Sequence, residues 1–285
     1  MLFILKHMQR QKEGWTYDPD DFAEKYTQFY ANEDNNSDSP ENARHYLADR
    51  IETAILDLIR TTEGTIRVLS LGSGPQPLEQ FLSTKKTLAG NWHRVQIVTV
   101  DIAKITRLLT SFPHVQANGL SLPFADGTFN VVYSNMSADF MPRKVFAEIQ
   151  RVITHEGLFL ANFHHPDLLR RANCQFDELN AEKRQVHQDF RHEKNREVKA
   201  QLKATSEELI VQIDALIEIL SIVSNHIFYT VDQIVDELRA FFYEDTLHVE
   251  AVKNPEITEN GWFFVSGRKK HTEESSGETM FVDTI

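Results

Sequence analysis

Short apolar runs alternate, through the middle of the chain, with segments whose apolar residues recur at helical spacing. We predict strands at 66–71, 95–100, near 114–117, 129–134 and 157–163, and helices at about 77–88, 102–111 and 142–153. Strands and helices that alternate in this way are typical of a parallel sheet covered by helices. The pattern therefore predicts an α/β fold with helices on both faces of the sheet.

Helix-start signals outside this central region mark out further units of the chain. Ser39-Pro40 is a helix-start signal that opens an amphipathic stretch. A capping box at Thr230 begins a predicted helix at 231–242, and two further predicted strands follow, 247–252 and 262–266. The expected units are an N-terminal helical cap at 1–64, a main domain at 65–165 and 226–270, a helical insertion at 166–225 that forms a lid over the substrate, and a disordered tail at 271–285.

Charge and cysteine content narrow the class of partner. The net charge of −12 makes the chain repel phosphate backbones, so we expect no nucleic-acid partner. No run approaches the roughly 20 apolar residues that a membrane-spanning helix needs, and we expect no membrane partner. Cys174 is the single cysteine, which excludes an internal disulfide and fits a cytoplasmic protein.

The most informative motif is an apolar run, 66–71, that ends in Gly72-Ser73-Gly74. A buried strand that runs into a glycine turn brings backbone close to a ligand at the carboxyl end of the strand. Pro77 stands where the NAD fingerprint needs a third glycine, and the turn lacks the lysine of a phosphate-binding loop. Asp101 ends the next apolar run, where a carboxylate can accept bonds from both ribose hydroxyls. These features indicate a cofactor that contains a nucleoside without a pyrophosphate.

Four groups of residues follow predicted strands and should meet at one edge of the sheet. They are Gly72–Gly74, Asp101, Asn118–Leu120 and Ser134–Met136. In an open parallel sheet, ligands bind outside the carboxyl ends of the strands, where these groups are expected to lie. The convergence predicts the position of the cofactor site.

Several segments carry a resemblance to a known family. Leu69–Gln76 is similar to the first motif of class I S-adenosylmethionine-dependent methyltransferases, in the group labelled methyltransferase type 11. Asn118–Met136 contains Leu122-Pro123-Phe124 and Asp126-Gly127-Thr128-Phe129, a characteristic run of that group, and Glu148–Gly157 resembles the helix and turn that follow. The likeness covers roughly 66–165 and, more weakly, 227–268. It implies a Rossmann-like sheet that finishes with an antiparallel strand.

The resemblance also implies the cofactor and the site. S-adenosylmethionine is the expected cofactor, S-adenosylhomocysteine the expected product, and a small-molecule methyl acceptor the expected partner of a monomer or homodimer. An N-terminal aromatic helix that includes Tyr26 is expected to form part of a lid over the cofactor. The expected cofactor-binding residues are Leu71, Gly72, Ser73, Gly74, Asp101, Ile102, Asn118, Gly119, Leu120, Ser134, Asn135, Met136 and Tyr26.

Four positions depart from the family pattern. The family usually has an acid at the place of Ser70, a small residue at Gln76, Asp at Asn118 and often His at Asp139. Serine in place of the first acid weakens the expected contact to the methionyl amine of the cofactor. Asn118 can still accept a bond from the adenine amino group through its carbonyl. The departures leave open an alternative function, a methyltransferase-like module that binds a cofactor or a protein partner without transferring methyl.

Methyl transfer from a sulfonium is a direct displacement, so positioning supplies much of the rate and only some acceptors need a base. His164 and His165, which follow the last predicted parallel strand, and Asp139 are the candidate catalytic residues. Their alternative roles are loop histidines and a charge at a helix N terminus. Neighbouring residues of an extended chain point to opposite faces, so we do not expect the two histidines to share a metal ion, and we expect no metal site.

Overall fold

The computed structural model describes residues 41–193, 195, 197–207, 210, 230–253 and 260–269, together with 19–20, 23–24 and 26–27. Within these ranges, the side chains of 140, 167–176 and 260 are left out of the description. The predictions made for 1–18, for the apolar part of the insertion beyond 210, and for the tail at 271–285 lie outside the described residues.

A seven-stranded sheet forms the centre of the described chain, in the order β3-β2-β1-β4-β5-β7-β6. The strands are β1 (Ile66–Leu71), β2 (Val95–Asp101), β3 (His114–Gln116), β4 (Phe129–Asn135), β5 (Ile153–His164), β6 (His248–Lys253) and β7 (Asn260–Arg268). β1 to β5 pair in parallel, whereas β7 runs antiparallel to both β5 and β6. The predicted Rossmann-like sheet with an antiparallel final strand is confirmed.

Helices connect and cover the strands. They are α1 (Glu41–Thr61), α2 (Pro77–Ser83), α3 (Lys144–Val152), α4 (Pro166–His192) and α5 (Val231–Leu238), with 3-10 turns at Trp92–Arg94 and Ala138–Phe140 and a further helical run at 197–207. The Thr230 hydroxyl accepts the Gln233 N–H at 3.2 Å, as the capping pattern predicted. No helix among the described residues has both the length and the apolar character needed to cross a membrane.

The predicted helix at 102–111 is wrong, because this stretch is irregular in the structure. Its backbone is held by hydrogen bonds to the glycine turn and the residues that follow it, rather than by the internal hydrogen bonds of a helix. The Leu109 N–H donates to the Pro75 carbonyl at 3.0 Å, and the Thr110 hydroxyl donates to Gln76 Oε1. Tertiary hydrogen bonds therefore override the helical spacing of its apolar residues.

Helices cover both faces of the sheet, and alternate strand residues supply the two cores. On one face, α1 and α2 pack on a set that includes Val68, Val131 and Tyr133. On the other face, α3 and α5 pack on a set that includes Leu69 and Leu71. The carboxyl ends of β1, β2, β4 and β5 emerge along one edge between these two layers.

The described part of the insertion is helical. α4 begins two residues after the end of β5, and the run at 197–207 returns beside it. The two pieces touch where Ser206 Oγ lies 3.3 Å from His187 Nδ1 and where the Lys199 ammonium sits 4.7 Å above the ring of Phe190. The insertion thus leaves the sheet at the carboxyl edge.

Candidate functional site

The glycine turn after β1 is fastened to its neighbours on both sides. Gly72 (φ 69°) and Gly74 (φ 51°) adopt left-handed backbone, which glycine accepts without a Cβ penalty. The Gly72 and Ser73 N–H groups donate to the Val100 carbonyl at 2.8 and 3.1 Å. A Cβ on Gly72 would overlap the Ser137 side chain, whose hydroxyl donates to the Gly72 carbonyl at 3.0 Å. Close packing against the loop after β4 therefore requires glycine here.

Asp101, at the end of β2, is hydrogen-bonded to the glycine turn. Its Oδ2 accepts the Gly74 N–H at 2.8 Å, and its Oδ1 accepts the Ala103 N–H at 2.9 Å. A carboxylate oxygen can accept more than one hydrogen bond, so the Asp101 carboxylate has the chemistry needed to accept ribose hydroxyls. The following residue, Ile102, is half-buried, and its carbonyl accepts from Gln116 Nε2 at 3.1 Å.

The loop after β3 lies beside the glycine turn. Asn118 Oδ1 accepts the N–H of Leu120 at 2.9 Å, which leaves one lone pair of that carbonyl for a ligand. A Cβ on Gly119 would come within 2.7 Å of Met141 Sδ and 3.4 Å of Leu71 Cδ1. Glycine at this position allows the Met141 thioether to approach both loops.

The residues after β4 form a compact, strained turn. Ser134 Oγ accepts the Ala138 N–H at 3.0 Å, and Asn135 Oδ1 accepts from Asn162 Nδ2 at 3.0 Å. Met136 has φ 54°, a left-handed conformation that is uncommon for a side-chain-bearing residue. Its N–H donates to the Asn162 carbonyl at 2.8 Å, so β5 fixes the turn.

The described fragment of the N-terminal helix reaches the loop after β2. Tyr26 is partly buried, and the neighbouring Thr27 hydroxyl accepts the Lys104 N–H at 2.9 Å. The fragment therefore lies three residues beyond Asp101 along this loop. Its place as part of a lid stays a prediction.

Of the three candidate catalytic residues, His164 and Asp139 form a pair. Asp139 Oδ2 lies 2.8 Å from His164 Nδ1 and also accepts the His164 backbone N–H at 2.7 Å. Both side chains are buried. Asp139 lies in the 3-10 turn that precedes α3, and it interacts electrostatically with Arg143 at the N-cap of that helix as well as with His164. Within the described residues, no group of three possible ligands is placed to hold a metal ion.

His165 has a different environment from its neighbour. Its ring lies against Phe263 of β7, with 4.7 Å between the ring centroids. The two histidines therefore have different partners, as the alternation of an extended strand predicts. The structure brings His164, and not His165, to the Asp139 carboxylate.

Sequence reasoning noticed Gln76 as a departure but missed what it does. Its backbone is left-handed (φ 74°) at the N-cap of α2, and its side chain is completely buried. Gln76 Nε2 donates to Thr99 Oγ1 at 2.7 Å, while Thr110 donates to its carbonyl. This amide joins the glycine turn to β2 and to the loop at 102–113.

Glu148 and Arg151 of α3 bind the Leu-Pro-Phe segment, a link that the sequence analysis did not draw. The Leu122 N–H donates to Glu148 Oε1 at 2.6 Å, and Arg151 donates to the carbonyls of Leu122 and Phe124 at 3.0 and 2.7 Å. Hydrogen bonds to Glu148 and Asp126 raise the pKa of the Arg151 guanidinium. The two motifs are thus one structural unit.

A family model described as a methyltransferase domain matches residues 71–161. Among solved structures, the CurJ carbon methyltransferase is 10% identical with a TM-score of 0.50, over 90% of this chain and 62% of that chain. The PH0226 protein from Pyrococcus horikoshii OT3 is 16% identical with a TM-score of 0.46, over 85% and 99%. The 4+2 cyclase SpnF is 19% identical with a TM-score of 0.31, over 40% and 44%.

The chain therefore spans less than two thirds of the length of the cyclase and of the carbon methyltransferase. A comparison with curated proteins gives no match. The matched segment is similar to a methyltransferase domain, and the strand order agrees with the Rossmann-like fold of class I methyltransferases. S-adenosylmethionine is the cofactor that this domain indicates.

Proposed function

We propose that this protein transfers a methyl group from S-adenosylmethionine to a small-molecule acceptor at the carboxyl edge of its sheet. The observation that carries the proposal is the convergence at this edge of the glycine turn, Asp101, Asn118 and the buried His164–Asp139 pair. A net charge of −12 disfavours a nucleic-acid acceptor and supports a small molecule. The lone cysteine and absence of an internal disulfide favour a cytoplasmic location.

The hydrogen-bond acceptors at the edge suit the nucleoside part of the cofactor. Asp101 offers carboxylate lone pairs to two ribose hydroxyls, and the Asn118 carbonyl offers one to an amino group on adenine. Asp101 is only 6% exposed and is held by two backbone N–H groups, so its position is fixed before any ligand arrives. When bound, S-adenosylmethionine supplies an electrophilic methyl group on a sulfonium.

His164 is the residue that we assign as general base. A proton on Nδ1 is shared with Asp139 Oδ2, and this tautomer makes Nε2 the basic nitrogen of the ring. Asp139 also holds the His164 backbone, so ring and main chain are oriented by one carboxylate. Such a pair can accept a proton from a hydroxyl, an amine or an acidic carbon as the methyl group is transferred.

We assign the insertion as the segment that covers the pocket for the methyl acceptor. α4 begins at Pro166, two residues after His164, so it rises directly beside the assigned base. Helices placed there can exclude water from the reaction. We propose further that Leu71, Gly72, Ser73, Ile102, Gly119, Leu120, Ser134, Asn135, Met136 and Tyr26 line the cofactor cavity.

Calorimetric titration with S-adenosylmethionine and S-adenosylhomocysteine tests the cofactor claim. We expect both to bind, and no heat up to millimolar ligand would contradict the proposal. Incubation of a cell extract with methyl-labelled cofactor and the protein then tests the reaction. A labelled small-molecule product supports the enzyme, whereas tight cofactor binding without any labelled product supports the silent binding module. Light scattering of the same sample decides between monomer and homodimer.

A further inference from the structure

Glu79, in the first turn of α2, has a buried carboxyl group with one unused oxygen. The residue is 1% exposed. Its Oε1 accepts the Tyr133 hydroxyl at 2.6 Å, and the Ser70 hydroxyl bonds to the same group. Among the described residues, Oε2 has no hydrogen-bond partner. A buried polar atom without a partner is costly, so an acceptor left this way points to a missing donor.

The carboxyl group lies directly beneath the glycine turn. Ser70 of β1 and Tyr133 of β4 are paired in register, and both face the layer that contains α1 and α2. Ser70 precedes Gly72 by two residues, so the Glu79 carboxyl sits between the ends of the two central strands. Glu79 belongs to α2, the helix that follows the glycine turn.

The strand order places β1 next to the strands whose ends carry the assigned nucleoside contacts. Asn118 follows β3 and Asp101 ends β2, so in the proposed function the nucleoside would lie on the β3–β2 side of the edge. The amino-acid part would then be within reach of the end of β1, the next strand in the order. This part carries an α-ammonium group, which needs an anionic or strongly accepting partner.

We propose that the Glu79 carboxylate is the partner of the cofactor's α-ammonium group, directly or through one water molecule. The proposal rests on the proposed function. Ser70 cannot supply this charge. Asp139 Oδ1 is also without a hydrogen-bond partner among the described residues, but the Asp139 charge already faces the Arg143 guanidinium, and its Oδ2 accepts two donors of His164. The carboxylate that the end of β1 lacks is thus supplied by α2 at the same point of the sheet.

The test compares two ligands that differ in the amino-acid part. S-adenosylhomocysteine carries the ammonium, and 5′-methylthioadenosine lacks the whole amino-acid part. We expect Glu79→Gln to weaken S-adenosylhomocysteine by about 10- to 100-fold, the range for one charge-assisted bond, with methylthioadenosine changed less than about twofold. Glu52→Gln is the matched control, since Glu52 lies on α1 and pairs with Lys85, which follows α2. Calorimetry at constant pH gives all the affinities.

A charge-relocation variant separates a binding role from a packing role. Ser70→Asp combined with Glu79→Gln returns a carboxylate to the end of β1, and we expect it to recover most of the lost affinity. Equal loss for both ligands, or unchanged affinity for both, overturns the proposal. If the wild-type protein binds methylthioadenosine and S-adenosylhomocysteine equally well, the proposal is also overturned. If the wild-type protein binds neither S-adenosylmethionine nor S-adenosylhomocysteine, the result contradicts the proposed function instead.

Discussion

Gln76 donates through Nε2 to Thr99 Oγ1 at 2.7 Å while its own backbone occupies the left-handed region at φ 74°. A side chain in that conformation costs of the order of 1 kcal/mol relative to glycine. The buried hydrogen bonds of its amide offset this strain. A position that suits a small residue can therefore hold glutamine, provided that the amide keeps its partners.

Replacement of Gln76 should separate backbone strain from hydrogen bonding. Gln76→Ala keeps the strain and removes the bonds, whereas Gln76→Gly removes both. We expect both variants to be less stable than wild type. The free energy of unfolding of Gln76→Ala should be lower than that of Gln76→Gly by about 1 kcal/mol. Urea unfolding measures the difference. A glycine variant as stable as wild type would show that the amide bonds contribute no more than the backbone strain costs.

Arg151 should matter to stability far more than an ordinary surface arginine. It binds two carbonyls of the Leu-Pro-Phe segment as well as Glu148 and Asp126. Lysine has a single ammonium and cannot reproduce this planar fork, so Arg151→Lys should destabilise by about 2 kcal/mol. Arg60→Lys, at an exposed pair with Asp57, is the control and should change stability by less than about 0.5 kcal/mol. Equal effects at the two sites would refute this view of Arg151.

The His164–Asp139 pair should control turnover without controlling cofactor affinity. Loss of a general base typically costs about 10²- to 10⁴-fold in rate, so His164→Ala should lower kcat in that range. Asp139→Asn should lower kcat too, because the ring loses its orienting carboxylate. His165→Ala is the neighbouring control, with its ring against Phe263. Rates with labelled cofactor and an acceptor found in extract give the comparison, and a dominant His165 effect would reassign the base.

Glu79 should make the stability of the free protein depend on pH. Burial raises the pKa of its carboxyl above the ordinary value of 4.5, with Tyr133 and Ser70 facing it. The folded protein thus holds this proton more tightly than the unfolded chain. The contribution is fully present below the unfolded pKa and is lost as pH rises through the folded pKa. Glu79→Gln cannot lose that proton, so its stability relative to wild type should improve as pH rises. Urea unfolding over a pH series tests this, and a constant difference would be the contrary result.

Deletion of 167–204 tests the insertion as a lid. If these helices only cover the acceptor, cofactor affinity should survive while methyl transfer is lost. Calorimetry and thermal unfolding are measured on the same sample, so binding and folding are read separately. Unfolding of the whole protein would show that the segment belongs to the core, and it would contradict the proposal that the insertion covers the acceptor pocket.

The sheet and its edge could be predicted because their signals are local. Apolar runs gave the strands, and the structure places Gly72, Asp101 and Asn118 at or just after strand ends, as their positions in the sequence predicted. The irregular stretch at 102–111 was missed because the Pro75 carbonyl and the Gln76 amide hold it, and neither contact is visible in its own spacing.

The buried polar contacts could not be predicted for a related reason. Glu79 meets Tyr133 across 54 positions of sequence, and His164 meets Asp139 across 25. Each residue alone resembles an ordinary helix or loop residue. Their significance comes from the register of β1, β4 and β5, which only the assembled sheet defines.

The Asn162 side chain has a practical consequence for handling the protein. Its Nδ2 donates both to the Ala43 carbonyl in the first turn of α1, at 2.7 Å, and to Asn135 Oδ1 at the end of β4. One amide therefore couples the start of α1 mechanically to the turn that carries Met136. A truncation that removes the first turn of α1 should therefore disturb the Met136 turn, although the two lie far apart in the sequence.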